Sequence, residues 1–263
     1  MTSKNKILIA VLACGAIIAA FCGIYRFQHS FVGFAARLII DSKLHPDLKY
    51  TKLSPEGKNI PVKSFRAIKA KGAFNIILQH ATTESLVMKG YDPGDLKATN
   101  VGDTLMLMFT DSSYSSLADR KTNIYVTYKQ LNCLKMYLMG DIRSIDTIKA
   151  INFIIESNGF GEKTLMLNAD TVIVTLDGAG TFNLLGKANY ADFKVTGMDS
   201  LRTKGLKVEV LHTYVFGIGA ATVTADSEIY LKSELGGNIT YYGNARVMVL
   251  DSEGGMGKII HGN

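Results

Sequence analysis

Apolar and polar residues alternate in short runs through the C-terminal half of the chain. Leu134, Met136 and Leu138 begin the series, followed by Phe153 and Ile155, then Val172, Val174 and Leu176. Ala191, Phe193 and Val195 continue it, as do Leu211, Thr213 and Val215. Period-2 alternation of this kind is the mark of a strand with one face buried. After each run comes a glycine. Gly140, Gly159, Gly178, Gly197, Gly217, Gly236 and Gly254 are separated by 19, 19, 19, 20, 19 and 18 positions. A fixed period near 20 residues with alternation inside each unit predicts a solenoid. Nineteen residues at about 3.3 Å each give roughly 60 Å of chain, enough for one coil of two or three short strands with tight turns. The expected fold is therefore all-β: a right-handed parallel β-helix with coils of about 19 residues. Parallel stacking should run from about Leu134 to Ile260, with Leu138, Leu176, Val195 and Val215 pointing inward.

The corners are expected at Asp177-Gly178-Ala179-Gly180 and Phe216-Gly217-Ile218-Gly219, where glycine tolerates sharp bends. A phosphate-binding role for these glycines is disfavoured. A Gly-rich phosphate loop must open a helix, whereas here strand-like runs follow, at Thr164–Leu167, Phe182–Leu185 and Ala221–Thr224. Strand patterning begins earlier, near Phe65, and breaks at Gly72. The runs Ser85–Gly90, Leu105–Phe109 and Ile124–Tyr128 then follow at spacings looser than 19. The first coils should be larger or less regular than those after Leu134.

The N-terminal pattern differs. After Lys4 and Lys6, Ile7 to Tyr25 is an uncharged stretch of 19 residues closed by Arg26, about the length of a membrane-crossing helix. The expected reading is an uncleaved signal anchor with the remainder of the chain exported. Lipid attachment at Cys14 and ordinary signal cleavage are the alternatives, and all three export the chain. Phe31, Phe34, Ala35, Leu38 and Ile39 form a helical stripe, read as a short helix that extends the anchor or covers the first coil. Residues 43–63, with Pro46, Pro55, Gly57 and Pro61, read as linker. The expected organisation is a 1–26 anchor, a 27–63 amphipathic helix and linker, and a 64–263 solenoid.

Composition narrows the function. The 263 residues are 47% hydrophobic, with 4 Pro and no Trp, so one elongated domain can bury a sizeable core. Of the net charge of +6, residues 1–49 supply +4, from six Lys and Arg against Asp41 and Asp47. The remainder is near balance, with no basic cluster among aromatics, so nucleic-acid binding is excluded.

The opening segment Phe65, Ile68, Gly72-Ala-Phe-Asn-Ile-Ile-Leu78, the step Val101-Gly-Asp-Thr-Leu105 and the Gly-x-Gly coils form an ordered set of motifs. The closing Tyr242-Gly243-Asn244-Ala245 and Gly254-Gly255-Met256-Gly257-Lys258-Ile259 complete it. Together they resemble the head GIN domain family, described as autotransporter adhesins, over roughly residues 64–261. Where that family commonly shows Gly-x-Pro, this sequence has Gly243-Asn244-Ala245. The resemblance implies an exported bacterial β-solenoid with an adhesive or surface role, and brings no catalytic residue, ligand or cofactor.

The residues themselves give no catalytic, cofactor-binding or metal-binding set. Turn acids Asp141, Glu162, Asp177, Asp199 and Glu253 fall so that no two consecutive coils place acids at the same offset from the repeat glycine, which suits turn formation and argues against a paired-carboxylate hydrolase. His29, His45, His80, His212 and His261 lack metal-ligand spacing. Gly254-Gly255-Met256-Gly257 occurs once and lacks the aspartate of a calcium-binding repeat. Cys14 and Cys22 lie in the apolar span, leaving Cys133 unpaired in the exported part and expected to be half-buried and inert. Tyr137 and Tyr214, read as one outward column, are the candidate ligand-contact surface. The expected function is a membrane-anchored binding or structural module at the cell envelope, with no catalysis. Its partners are an envelope protein or glycan, the membrane through residues 7–25, and a second copy of itself. The alternative is a polysaccharide-acting enzyme on the same scaffold.

Overall fold

The computed structural model describes residues 54–90, 96–109, 122–251 and 256–262, and every regular element in them is a strand. The apolar span 7–25, Cys14, the stripe 31–39 and Gly254 lie outside the described residues. Eight short strands come first: β1 (Ser54–Ile60), β2 (Ala67–Gly72), β3 (Asn75–His80), β4 (Ser85–Gly90), β5 (Leu96–Val101), β6 (Thr104–Phe109), β7 (Thr122–Tyr128) and β8 (Cys133–Leu138). Four long ones follow, each bent around most of a coil: β9 (Ile142–Ser157), β10 (Phe160–Leu176), β11 (Ala179–Val195) and β12 (Ser200–Gly217). The last coils are β13 (Ala220–Thr224), β14 (Glu228–Leu235), β15 (Asn238–Tyr242), β16 (Arg246–Asp251) and β17 (Ile259–His261).

From β8 onward every pairing is parallel, and the result is a β-solenoid. The inward columns are continuous. Phe153, Val172, Ala191, Leu211 and Ile229 lie in register, and each is fully buried. The column Ile155, Val174, Phe193, Thr213 and Leu231 runs beside it. Leu138, Leu176, Val195 and Val215 are buried as their alternation predicts. Burying such columns is the main favourable contribution, at about 25 cal/mol per Å² of apolar surface.

The glycines form two columns rather than one. Leu138, Gly159, Gly178, Gly197 and Gly217 stack in the first. Gly140, Gly161, Gly180, Asp199 and Gly219 stack in the second. A Cβ on Gly178 would collide with the backbone of Gly159, and one on Gly161 would come within 2.5 Å of the Gly140 carbonyl oxygen. Gly161 also has φ of 102°, which other residues rarely adopt. The period thus records backbone passing directly over backbone at each corner. Gly140 belongs to the second column, because the coil that follows it carries an irregularity between Arg143 and Thr147.

The early coils are ordered differently. β2 lies between β6 and β8, and β3 between β7 and β9, all parallel. The first coil in sequence is therefore second in the stack. Beyond it the pairing turns antiparallel: β5 on β6, β4 on β7 and β1 on β4. Ser54–Ile60, inside the expected linker, is thus an edge strand, a setting that accommodates a proline such as Pro55.

Candidate binding surface

The corners place the turn acids. Asp199 occupies a glycine position in the second column and turns its carboxylate back toward the preceding coil. Its Oδ2 accepts the Gly178 N–H at 2.5 Å and its Oδ1 accepts the Gly180 N–H at 2.6 Å. It is 1% exposed. Burial raises its pKa, opposed by those two amides and by the Lys163 charge.

Lys163 sits on the inward column Ile142, Lys163, Phe182 and Leu201 and is fully buried. Its Nζ donates to the Phe160 carbonyl at 2.7 Å and the Gly161 carbonyl at 3.2 Å, and lies 5.4 Å from the Phe182 ring centroid. Burial pushes its pKa down to about 8, against the pull of Asp199 and Asp141. Asp199 thus holds two corner amides, and Lys163 holds two corner carbonyls, of which that of Phe160 also accepts the Gly140 N–H at 3.2 Å.

Glu253 lies outside the described residues, and the other corner acids are also engaged with structure. Asp141 Oδ1 accepts the Glu162 N–H at 2.8 Å, and Glu162 Oε1 accepts the Asn183 amide at 2.7 Å. Asp177 Oδ1 accepts the Thr196 hydroxyl at 3.1 Å. One expectation is corrected here. Asp141 and Glu162 share a column on consecutive coils, since Ile142 pairs with Lys163.

The broad outward surface of β8 to β16 carries the aromatics. His212 stacks on Tyr230 with centroids 4.2 Å apart, and Tyr190 lies 5.4 Å from His212 on its other side. The stacked His212 and Tyr230 rings cover one face of each other, and the Tyr190 ring is tilted against His212. Tyr214 lies between Lys194 and Lys232 of the adjoining coils, at 6.0 and 5.9 Å. Tyr137 and Tyr214 do not share a column. Tyr214 lines up with Lys194, Thr175, Glu156 and Lys135, and Tyr137 lies two residues further along the strand. Tyr137 is 45% exposed.

A family model described as "Putative auto-transporter adhesin, head GIN domain" matches residues 64–245. The chain belongs to the head GIN domain family. Among curated proteins no match is found. The head GIN solenoid is similar to solved structures. A putative adhesin from Bacteroides fragilis has a TM-score of 0.72 at 23% identity, covering 82% of this chain and 98% of that one. A putative adhesin from Parabacteroides merdae scores 0.59 at 19% identity, covering 81% and 97%. A putative lipid binding protein from Parabacteroides distasonis scores 0.57 at 15% identity, covering 80% and 97%. These identities establish a shared fold alone.

Within the head GIN domain, a second outward face holds a feature absent from the expectations. Lys149, Lys187 and Lys207 stand exposed in one column, with Asn168 between the first two. Their spacing of twice 19 and then 20 residues was the available signal. Cys133 is half-exposed, and burial pushes its thiol above the ordinary value, the opposite of what a nucleophile needs.

Proposed function

We propose that the chain is an exported module, held in the bacterial cell membrane by residues 7–25, whose right-handed solenoid binds a partner at the envelope as an adhesin does and carries out no chemistry. The observation that carries this reading is the head GIN match across 64–245. Right-handedness is supported by the strong preference for right-handed crossovers between parallel strands. The described corner acids, Asp141, Glu162, Asp177 and Asp199, support a non-catalytic role, since each spends carboxylate oxygens on hydrogen bonds that shape the turns. The partner is an envelope protein or glycan, met by the outward face that carries Tyr137 and Tyr214.

The test is display of the full chain on a non-adherent bacterium, with adherence scored against a strain lacking it. Unchanged adherence would remove the binding reading. Retention in the membrane after carbonate washing, with an intact N-terminus by mass spectrometry, is expected for the anchor. A lipid on Cys14 would replace it with the lipoprotein route.

One observation favours a second reading, a polysaccharide-acting enzyme. Asp141, just before β9, and Glu162 on β10 lie on consecutive coils, about 4.8 Å apart in the backbone, and paired carboxylates are what glycoside hydrolysis uses. Glycan turnover that disappears in Asp141→Asn or Glu162→Gln would establish it.

A further inference from the structure

The last coil of the solenoid leaves its core open. Val247 pairs with Ile229 on the inward column, yet Val247 is 40% exposed where Ile229 and Leu211 are fully buried. On β17 the inward Ile259, which pairs with the fully buried Ile239, is itself only partly buried. Among the described residues β16 pairs with β14 alone and β17 with β15 alone. An open edge with apolar side chains is a template for another strand, and stacked repeats need a cover over their terminal unit.

The opposite end is blunted. The outer strand β1 carries a register irregularity between Ser54 and Lys58. The outer strand β5 carries the exposed Lys97, and its Asn100 is tied to the Lys63 and Ser64 backbone. The charge and the covering chain are means by which edges avoid pairing. Irregularity alone does not distinguish the ends, since β16 also carries one, between the Ile229–Val247 and Tyr230–Val249 pairs, and it is what leaves Arg246 and Asp251 on one side of the strand. The two ends therefore do not match as head and tail.

The C-terminal edge does match itself. We infer that β16 pairs antiparallel with β16 of a second copy about a twofold axis, joining two solenoids end to end. In the symmetric register, residue 246 lies opposite residue 251 of the partner and 247 opposite 250. Arg246 and Asp251 both stand on the outward side, aligned with Glu228 and Lys232. Each copy then sets Arg246 against the other's Asp251, twice over, and opposite charges directly across an antiparallel pair are favourable. Arg246 already bonds Glu228 at 2.6 Å and Asp251 lies 3.4 Å from Lys232, so the cross-junction pairs extend two existing intrachain contacts. Val247 faces inward, so the two cores become continuous. The interface is isologous and closes at two copies, whereas a head-to-tail contact would continue into a filament.

The experiment is sedimentation of the full chain in detergent, with two differently tagged forms for co-capture. The wild type should sediment as a dimer. Arg246→Asp and Asp251→Arg should each sediment as monomers, because each places like charges across both ends of the junction. Mixing the two variants should restore a heterodimer, since every charge then meets its opposite. That restoration separates the interface from misfolding and from association through the N-terminal segment, neither of which a charge swap would repair. A monomeric wild type, a dimer indifferent to either reversal, or a mixture that stays monomeric would each overturn the inference.

Discussion

The coils between Ile142 and Gly217 and those before Leu138 stack in the same parallel columns but are joined differently. In the later group each coil lies on the one before it in sequence, so column neighbours are separated by 19 to 21 positions. In the earlier group Ala67 pairs with Thr104 and with Cys133, 37 and 66 positions away, and the stack ends in antiparallel strands. Both build a parallel core from alternating residues. Only the first leaves a period. Sequence periodicity therefore records sequential stacking, in which every coil meets the same neighbour at the same corner, rather than the solenoid cross-section itself.

The sharpest test of that contrast is at glycine. In the regular stack, Gly178→Ala would drive a methyl group into the Gly159 backbone, which cannot yield without separating two coils. The expected loss is about 3 kcal/mol or more, within the range of overpacking in a rigid core, read as a fall in thermal or denaturant midpoint. Gly102, in the β5–β6 turn, has φ of 60° with nothing within 4 Å of an added Cβ. Gly102→Ala should cost only the backbone term, about 1–2 kcal/mol. Equal losses at the two sites would mean that close stacking is not what fixes the repeat glycines.

A smaller effect is expected at the buried charges, Lys163 and Asp199, which among the described residues belong to the later stack. Lys163→Met should lower stability by about 1–3 kcal/mol, since the Gly161 carbonyl loses the ammonium, the Phe160 carbonyl keeps only the Gly140 N–H, and Asp199 loses its neighbouring cation. The pH dependence has a definite sign. Burial lowers Lys163 to about 8 from 10.5, so across that window the unfolded chain binds more protons and wild-type stability gains as pH rises. The Met variant should lack that gain. Asp199→Asn should be comparably costly, because an amide cannot accept from both Gly178 and Gly180. Asp177→Asn keeps a carbonyl for the Thr196 hydroxyl and should change stability by less than about 0.5 kcal/mol. A silent Asp199→Asn would show that the corner does not depend on its carboxylate.

Much of the later stack was legible in the sequence, and one register error explains most of what was not. Counting every glycine as a single column put Gly140 over Gly159, although Leu138 occupies that place and Gly140 lies over Gly161. The shift of two residues then aligned Tyr137 with Tyr214 and separated Asp141 from Glu162, the reverse of the observed arrangement. Its physical source is the β9 irregularity, where Arg143 to Thr147 opposes Thr164 to Met166. A local insertion leaves the alternation on either side intact, so no hydrophobic pattern reveals it. Asp199 was detectable by another route. The doublets Gly159-x-Gly161, Gly178-x-Gly180 and Gly217-x-Gly219 make Gly197-x-Asp199 the exception, and a side chain where backbone crosses backbone must fold into a bond. The order of β2 and β6 left no trace, because either order satisfies the same alternation.

The smallest structural effect and the most direct functional one are expected at the tyrosines, one from each region. Tyr137 on β8 is 45% exposed, so Tyr137→Ala should change stability by less than about 0.5 kcal/mol. Tyr214 on β12 loses two weak contacts with Lys194 and Lys232, about 1 kcal/mol in total at an exposed site. Four strand steps and two residues separate them, which is about 20 Å at ordinary sheet spacing. An extended partner lying along the coil axis would span both, and either substitution should then reduce adherence while the fold stays intact. A compact ligand reaches one ring at most, so one substitution would be silent and the other would identify its coil. If both variants adhere as well as the wild type, the outward aromatic face is not the contact surface, and the Lys149, Lys187 and Lys207 column becomes the face to test.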